Sequence, residues 1–250
     1  MKNEVKPSAE PSKSSVEKKR NPFKVGLRRL RKATPKAVYR FRRRIKRLRV
    51  YLALYSFPQP APHSKAIDKL FRRAGKLRQA YLYLEWVKLH APEWKDAAKA
   101  EISYRKRRFK KAYKKLVKEV KSTLAEWEKR FPPPWIKEES LPLWENQGRL
   151  WVEAQKEALR KIDSESLTPE KLHELRTILR QWELAAAWVE LPEKPPANLT
   201  TYLGEARDLY LLQRWLQKLG AEESLLQHIH TLRADLESQA LAVWRKWFSS

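Results

Sequence analysis

Apolar residues recur along this chain at spacings of three and four and almost nowhere in alternation, so the pattern predicts helices throughout. From Thr34 to Pro58 the set Val38, Phe41, Ile45, Leu48, Leu52 and Tyr55 falls on one side of a helix. Thr34 is placed to cap that helix and Pro35 to open it, because a proline in the first turn forfeits no hydrogen bond. The same punctuation returns from Thr168-Pro169 to Leu191-Pro192 at a constant offset of 134 residues. Leu172, Leu175, Leu179, Trp182, Ala186 and Val189 then hold the apolar places. Around this pair the pattern predicts a short lead-in helix over 23–32 and helices over 64–90, 91–130, 143–162, 200–219 and 222–248. Phe131-Pro132-Pro133-Pro134 separates the halves, and Trp135 and Trp144 flank that junction, where they would pack the halves together. The expectation is an all-α chain of two tandem helical units, 23–131 and 132–250, behind a disordered basic tail over 1–22.

A second repeated element supports the first. Gly75-x-x-Arg78-x-x-Tyr81-Leu82 matches Gly204-x-x-Arg207-x-x-Tyr210-Leu211. Glycine inside a helix costs roughly 1 kcal/mol relative to alanine. Two of them in matching places point to a close helix crossing or a break.

The polar positions carry a second pattern. Tyr39, Arg42, Lys46 and Arg49 form a stripe about 110° round the helix from the apolar one, with His173, Arg176, Arg180 and Glu183 as counterparts. Residues 35–50 contain no Asp or Glu, so Arg42/Lys46 and Arg43/Arg47 are like-charge i,i+4 pairs without a nearby acid. Each such pair destabilises a helix by a few tenths of a kcal/mol, and an ordinary solvated face mixes signs. Lys65, Lys69, Arg72 and Lys76 make another basic row, and Arg108, Lys111, Lys115 and Lys118 a third. If the rows converge they make an electropositive channel; if they diverge they make a basic surface. Both remain open at this level.

Charge sharpens the question. The net charge is +26, and residues 1–130 carry 40 Lys and Arg against 11 Asp and Glu, while 131–250 carry 15 against 18. Such a field draws a polyanion: nucleic acid, an anionic membrane surface or an inorganic polymer. The absence of cysteine excludes disulfides and thiolate metal sites and fits a reducing cytosol. No apolar run is long enough to span a bilayer and the N-terminus has no apolar signal core, so the expected location is cytoplasmic. There is no Gly-rich phosphate loop, no His-Glu-x-x-His and no Gly-x-Ser-x-Gly. His228 and His230 diverge on a helix, His63 and His90 sit at helix ends suited to capping, and the carboxylates are scattered. We therefore expect no catalysis, metal or cofactor. Trp86, Trp127, Trp151, Trp182, Trp188, Trp215, Trp244 and Trp247 fall at helical apolar spacings and read as core rather than as stacking platforms.

Tyr39-x-Phe41-Arg42-x-x-x-Lys46-Arg47-Leu48-Arg49 and His173-x-Leu175-Arg176-x-x-x-Arg180 resemble the His-x-Leu-Arg-x-x-x-Arg-Arg-Leu-Arg signature of the CHAD domains, the conserved histidine alpha-helical domains. Gly75-x-x-Arg78 and Gly204-x-x-Arg207-Asp208 resemble that family's Gly-x-x-Arg-Asp element. The resemblance covers about residues 23–250. It implies two four-helix bundles related by a pseudo-two-fold axis, and non-catalytic binding of inorganic polyphosphate in a basic central cavity, often at polyphosphate granules. The residues it nominates, with the basic rows, are Tyr39, Arg42, Arg43, Lys46, Arg49, Lys69, Arg72, Lys76, Arg78, Arg108, Lys111 and Lys115 in the first half. His173, Arg176, Arg180 and Arg207 complete the set in the second. Tyr39 stands in place of the first histidine, Gln79 in place of the first aspartate, and Gln181 and Glu183 in place of two basic positions. Two other readings remain: non-specific nucleic-acid binding through a basic surface, and a structural coat on granules or anionic membranes.

Overall fold

The computed structural model describes residues 22–131, 141–162, 168–186 and 194–248. All of its regular structure is helical: α1 Pro22–Leu30, α2 Pro35–Ser56, α3 Lys65–His90, α4 Lys95–Arg130, α5 Leu141–Arg160, α6 Pro169–Ala185, α7 Ala197–Lys218 and α8 Glu223–Phe248. The chain is all-α, as the spacing of its apolar residues predicts. The basic tail, the Pro-rich junction with Trp135, and Val189 and Trp188 lie outside the described residues, as does the side chain of Trp144.

Both repeated helices start by one device. Thr34 Oγ1 accepts from the Ala37 N–H at 3.3 Å, and Thr168 Oγ1 accepts from the Lys171 N–H at 3.3 Å, each satisfying one donor that the first turn would leave unpaired. Ser64 caps α3 by accepting from the Ile67 N–H at 3.4 Å. His63 is therefore not the cap, and it pairs with Asp68 instead. Pro92 opens a single 3-10 turn, Pro92–Trp94, before α4 begins. The second repeated helix is described to Ala185 with Ala186 as its C-cap, and the end expected at 190 lies outside the described residues. Gly220 follows α7 with φ 78°, a left-handed conformation that glycine adopts without steric cost.

The buried side chains form three clusters. The first joins α1, α2, α3 and α4 through Leu27, Val38, Phe41, Ile45, Leu70, Leu77 and Phe109. The second is built on Trp151, Leu159, Leu175, Leu179, Trp182 and Trp244, and it takes in Val50 and Leu54 from α2. The third joins the C-terminal half of α3 to α7 and α8 through Tyr83, Val87, Leu212, Leu216 and Ile229. Two of the three thus draw on both halves of the sequence, and Tyr83 also donates its hydroxyl to the Leu211 carbonyl at 3.1 Å. Trp151, Trp182 and Trp244 are buried, and Trp86, Trp127, Trp215 and Trp247 pack partly buried against the clusters. Tyr55 leaves the apolar stripe for the surface, with its ring edge-on to Phe131 at 5.4 Å.

Helix α2 organises the whole. One side buries Val38, Phe41, Ile45, Leu48 and Leu52 in the first cluster. The other side is basic near the start of the helix and apolar at Val50 and Leu54 near its end. That apolar end anchors α2 against α5 and α6, so the basic part faces the second half across a gap.

Candidate anion-binding cavity

The gap is a cavity of about 480 Å³ walled by α2, α3, α6 and α7. Its lining comes in repeat-related pairs. Tyr39 and His173, Arg42 and Arg176, and Lys46 and Arg180 come from α2 and α6. Gly75 and Gly204, Arg78 and Arg207, and Gln79 and Asp208 come from α3 and α7. Arg43 adds a further cation, while Leu184, Thr200, Thr201, Glu205 and Leu211 complete the walls. Seven Lys and Arg side chains thus face two carboxylates, Glu205 and Asp208.

The geometry explains Gly75. The Arg42 guanidinium lies over α3, donating from Nη1 to the Phe71 carbonyl at 2.9 Å and stacking 4.2 Å from the Phe71 ring centroid. A Cβ on Gly75 would sit 2.5 Å from that Nη1, and one on Gly204 would sit 3.4 Å from Nε of Arg176. Gly75 leaves room that Arg42 fills, whereas at Gly204 a methyl group would only touch Arg176 at ordinary contact distance. Both helices run through without a break, so the close approach is to a side chain.

Electrostatics follow from this crowding. Burial, and then the charges of Arg78, Arg49 and Arg176, pull the Arg42 guanidinium down to about 10, with Asp208 acting the other way. Burial, then Arg176, Arg42, Arg180 and Arg78, pull the Lys46 ammonium down to about 8. Arg176 is lowered by burial, while Asp208 opposes the shift. His173 stands at the exposed mouth, and desolvation of its ring with the charges of Arg207, Arg176 and Lys46 lowers it, so it is neutral at pH 7 in the free protein. Compensation is sparse: Arg78 meets Asp208 at 3.6 Å, and Arg180 pairs with Glu183, which also accepts from the Thr200 hydroxyl. A half-buried, like-charged cluster favours an anion in the gap, because an opposite charge both restores solvation and relieves repulsion.

Of the residues nominated from sequence, Tyr39, Arg42, Arg43, Lys46, Arg78, His173, Arg176, Arg180 and Arg207 meet here. Arg49, Lys69 and Arg72 do not. They line a separate groove with Trp127, where Arg49 pairs with Asp68 and stacks 4.3 Å from the Phe71 centroid. Lys76 and the α4 row of Arg108, Lys111 and Lys115 are exposed outside the cavity lining. The rows of α2 and α6 therefore converge, and the α4 row diverges because α4 packs on α3 and α1 rather than on α6 or α7. Sequence reasoning did not nominate Gln79, Asp208, Leu184, Thr200, Thr201, Glu205 or Leu211; the Gly-x-x-Arg repeat was the signal that pointed to Gln79 and Asp208, and Leu184, Thr200, Thr201 and Glu205 are ordinary helical residues.

The fold and cavity define an all-helical protein with an internal repeat and an electropositive interior groove. The family model described as CHAD domain matches residues 22–191. The chain belongs to the CHAD domain family. Neither the curated proteins nor the solved structures compared with it gave a match. No described helix is long and apolar enough to cross a membrane.

Proposed function

We propose that this protein binds inorganic polyphosphate in the cavity between α2, α3, α6 and α7, without catalysis or cofactor, and associates with polyphosphate granules in the cytoplasm. The observation that carries this reading is the meeting of Arg42 with Arg176, and of Lys46 with Arg180, across one desolvated gap. A linear chain of phosphates needs closely repeated cations and no base-reading groups. Arginine offers each phosphate a planar fork, and lysine a mobile point charge. Tyr39 and His173 carry the two aromatic rings among the described lining residues, so the cavity offers little to a run of stacked bases.

A nucleic-acid reading draws support from a different place, the exposed face of α4. Arg107, Arg108, Lys110, Lys111, Lys114, Lys115 and Lys118 lie there with no acid between Glu101 and Glu119. Competition decides between the two. Labelled long-chain polyphosphate is bound at physiological salt and challenged with DNA or RNA at equal phosphate concentration. The cavity reading expects polyphosphate to resist a large excess, and Lys46→Ala with Arg180→Ala to weaken it by about 150-fold or more, at roughly 1.5–3 kcal/mol for each of two charged hydrogen bonds. With five cavity cations outside any ion pair with a described carboxylate (Arg42, Arg43, Lys46, Arg176 and Arg207), the cavity alone should contribute about −3.5 to the log–log salt slope, at about 0.7 per contact. Equal competition by nucleic acid, with no effect of the double variant, would remove the cavity reading.

A further inference from the structure

We infer that the pocket between α1 and α2 is a second phosphate subsite, which takes the stretch of the same polyanion that leaves the central cavity. This rests on the polyphosphate reading and extends it to a site outside the repeat-related cavity. The pocket encloses about 350 Å³ and is lined by Arg29, Lys32, Lys36, Arg40 and Arg44, with no Asp or Glu in its walls. Arg29, Lys32, Lys36 and Arg40 make no ion pair with a described residue.

The pocket is held in shape. Leu27, Leu30 and Ala33 are buried behind it. Tyr113 donates its hydroxyl to the Leu27 carbonyl at 2.8 Å, and Tyr81 donates to the Ala33 carbonyl at 2.6 Å, so the α1–α2 corner is tied to α4 and α3. Gly26 admits Arg44 as Gly75 admits Arg42: a Cβ there would meet Nη1 at 2.5 Å. Burial, with the charges of Arg29 and Arg40, lowers the Arg44 guanidinium.

The internal repeat supplies the control. Lys36, Arg40 and Arg44 correspond, at the offset of 134, to Glu170, Glu174 and Ile178. The two repeats therefore agree at the cavity face, where Arg42 matches Arg176, while at this one two cations are replaced by acids and Arg44 by an apolar residue. A general requirement of the repeat fold would not do that. The pocket also lies beside the cavity along α2. Arg40 lines the pocket and Arg43 the cavity, and residues three apart on a helix are neighbours with Cβ atoms about 5–6 Å apart. Lys36 and Arg47, one turn to either side of that pair on α2, are exposed as well. A phosphate chain leaving the cavity past Arg43 meets Arg40 next.

The test uses the full chain and two probes, long-chain polyphosphate and tripolyphosphate. The pocket variant is Arg29→Gln, Lys32→Gln, Arg40→Gln, all at exposed positions. Lys110→Gln, Lys114→Gln, Lys118→Gln on the outer face of α4 removes the same charge elsewhere. The pocket variant should weaken long-chain binding about tenfold and reduce the salt slope by about 2, while tripolyphosphate affinity stays within about twofold because the central cavity satisfies a short ligand. The α4 variant should change long-chain affinity less than about threefold. Equal losses in the two triple variants, equal losses for the two probes, or no loss in the pocket variant would each overturn the second subsite. Failure of the parent reading shows elsewhere, as long- and short-chain binding that Lys46→Ala with Arg180→Ala leaves intact.

Discussion

The Arg42 guanidinium occupies the space that a side chain on Gly75 would need. The distance from a Cβ there to Nη1 would be 2.5 Å, against 3.4 Å for the related pair Gly204 and Arg176. The glycine costs α3 helical propensity, and the space it leaves lets Arg42 reach the Phe71 carbonyl and ring.

The asymmetry of the two pairs yields a paired experiment. Gly75→Ala should displace Arg42 and lower polyphosphate affinity several-fold. Gly204→Ala meets ordinary van der Waals contact, so affinity should hold within about twofold and stability should rise by up to about 1 kcal/mol. Thermal melts and titrations on both variants check this. Equal loss of affinity would show that the glycines serve helix packing rather than the arginines.

Lys46 makes binding pH-dependent. Its ammonium titrates near 8 in the folded, ligand-free protein and near about 10.4 in an unfolded chain. Between those values the unfolded chain holds more protons, so the free fold gains stability as pH rises from about 8 to about 10.4. A bound polyanion favours the charged ammonium and reverses the shift. Binding near pH 8.5 should therefore take up protons, and affinity should fall as pH climbs through the same window. Calorimetry in two buffers of different ionisation enthalpy measures the uptake; an uptake unchanged by Lys46→Ala would contradict the assignment.

Asp208 and Gln79 occupy related places, yet only one is a carboxylate. Asp208 opposes the lowering of Arg42 and Arg176 and lies 3.6 Å from Arg78. Gln79→Asp adds a second counter-charge to the cavity wall. It should raise Tm by about 2–4 °C per kcal/mol gained and weaken polyphosphate several-fold. Asp208→Asn should do the reverse. Stability and affinity moving in the same direction in either variant would refute this account of the cavity.

Leu54 belongs to the first half of the chain but is buried at 1% exposure among the side chains of the second. Leu54→Ala should cost about 2–5 kcal/mol. Denaturant unfolding followed by far-UV circular dichroism and by tryptophan fluorescence should give one midpoint. Two separate midpoints would mean that the halves fold independently.

Helix positions and the Arg42/Arg176 and Lys46/Arg180 pairs were legible in the sequence, because caps, heptad-scale spacing and a fixed repeat offset are local signals. Arg43 and Arg49 were not separable, since Arg49 lies on the basic stripe and Arg43 beside it, and only the direction of α2 across α6 decides which one faces the gap. The α4 row looked equivalent to the others because a row of cations carries no information about the helix that packs behind it. Val50 and Leu54 were hidden for a related reason: they are two apolar residues on a face otherwise basic, and their partners lie about a hundred residues further along the chain. The glycines were visible, but the cause of Gly75 was a side chain from another helix.

Because α2 is anchored in both the first and second clusters, the cavity walls stand apart at a distance set by apolar packing, with or without a guest. Ordering of the protein then adds little to the unfavourable entropy of association, and the electropositive gap steers encounter from a distance. Residence time is the quantity that substitutions along α2 and α6 should change, with arrival rates varying far less.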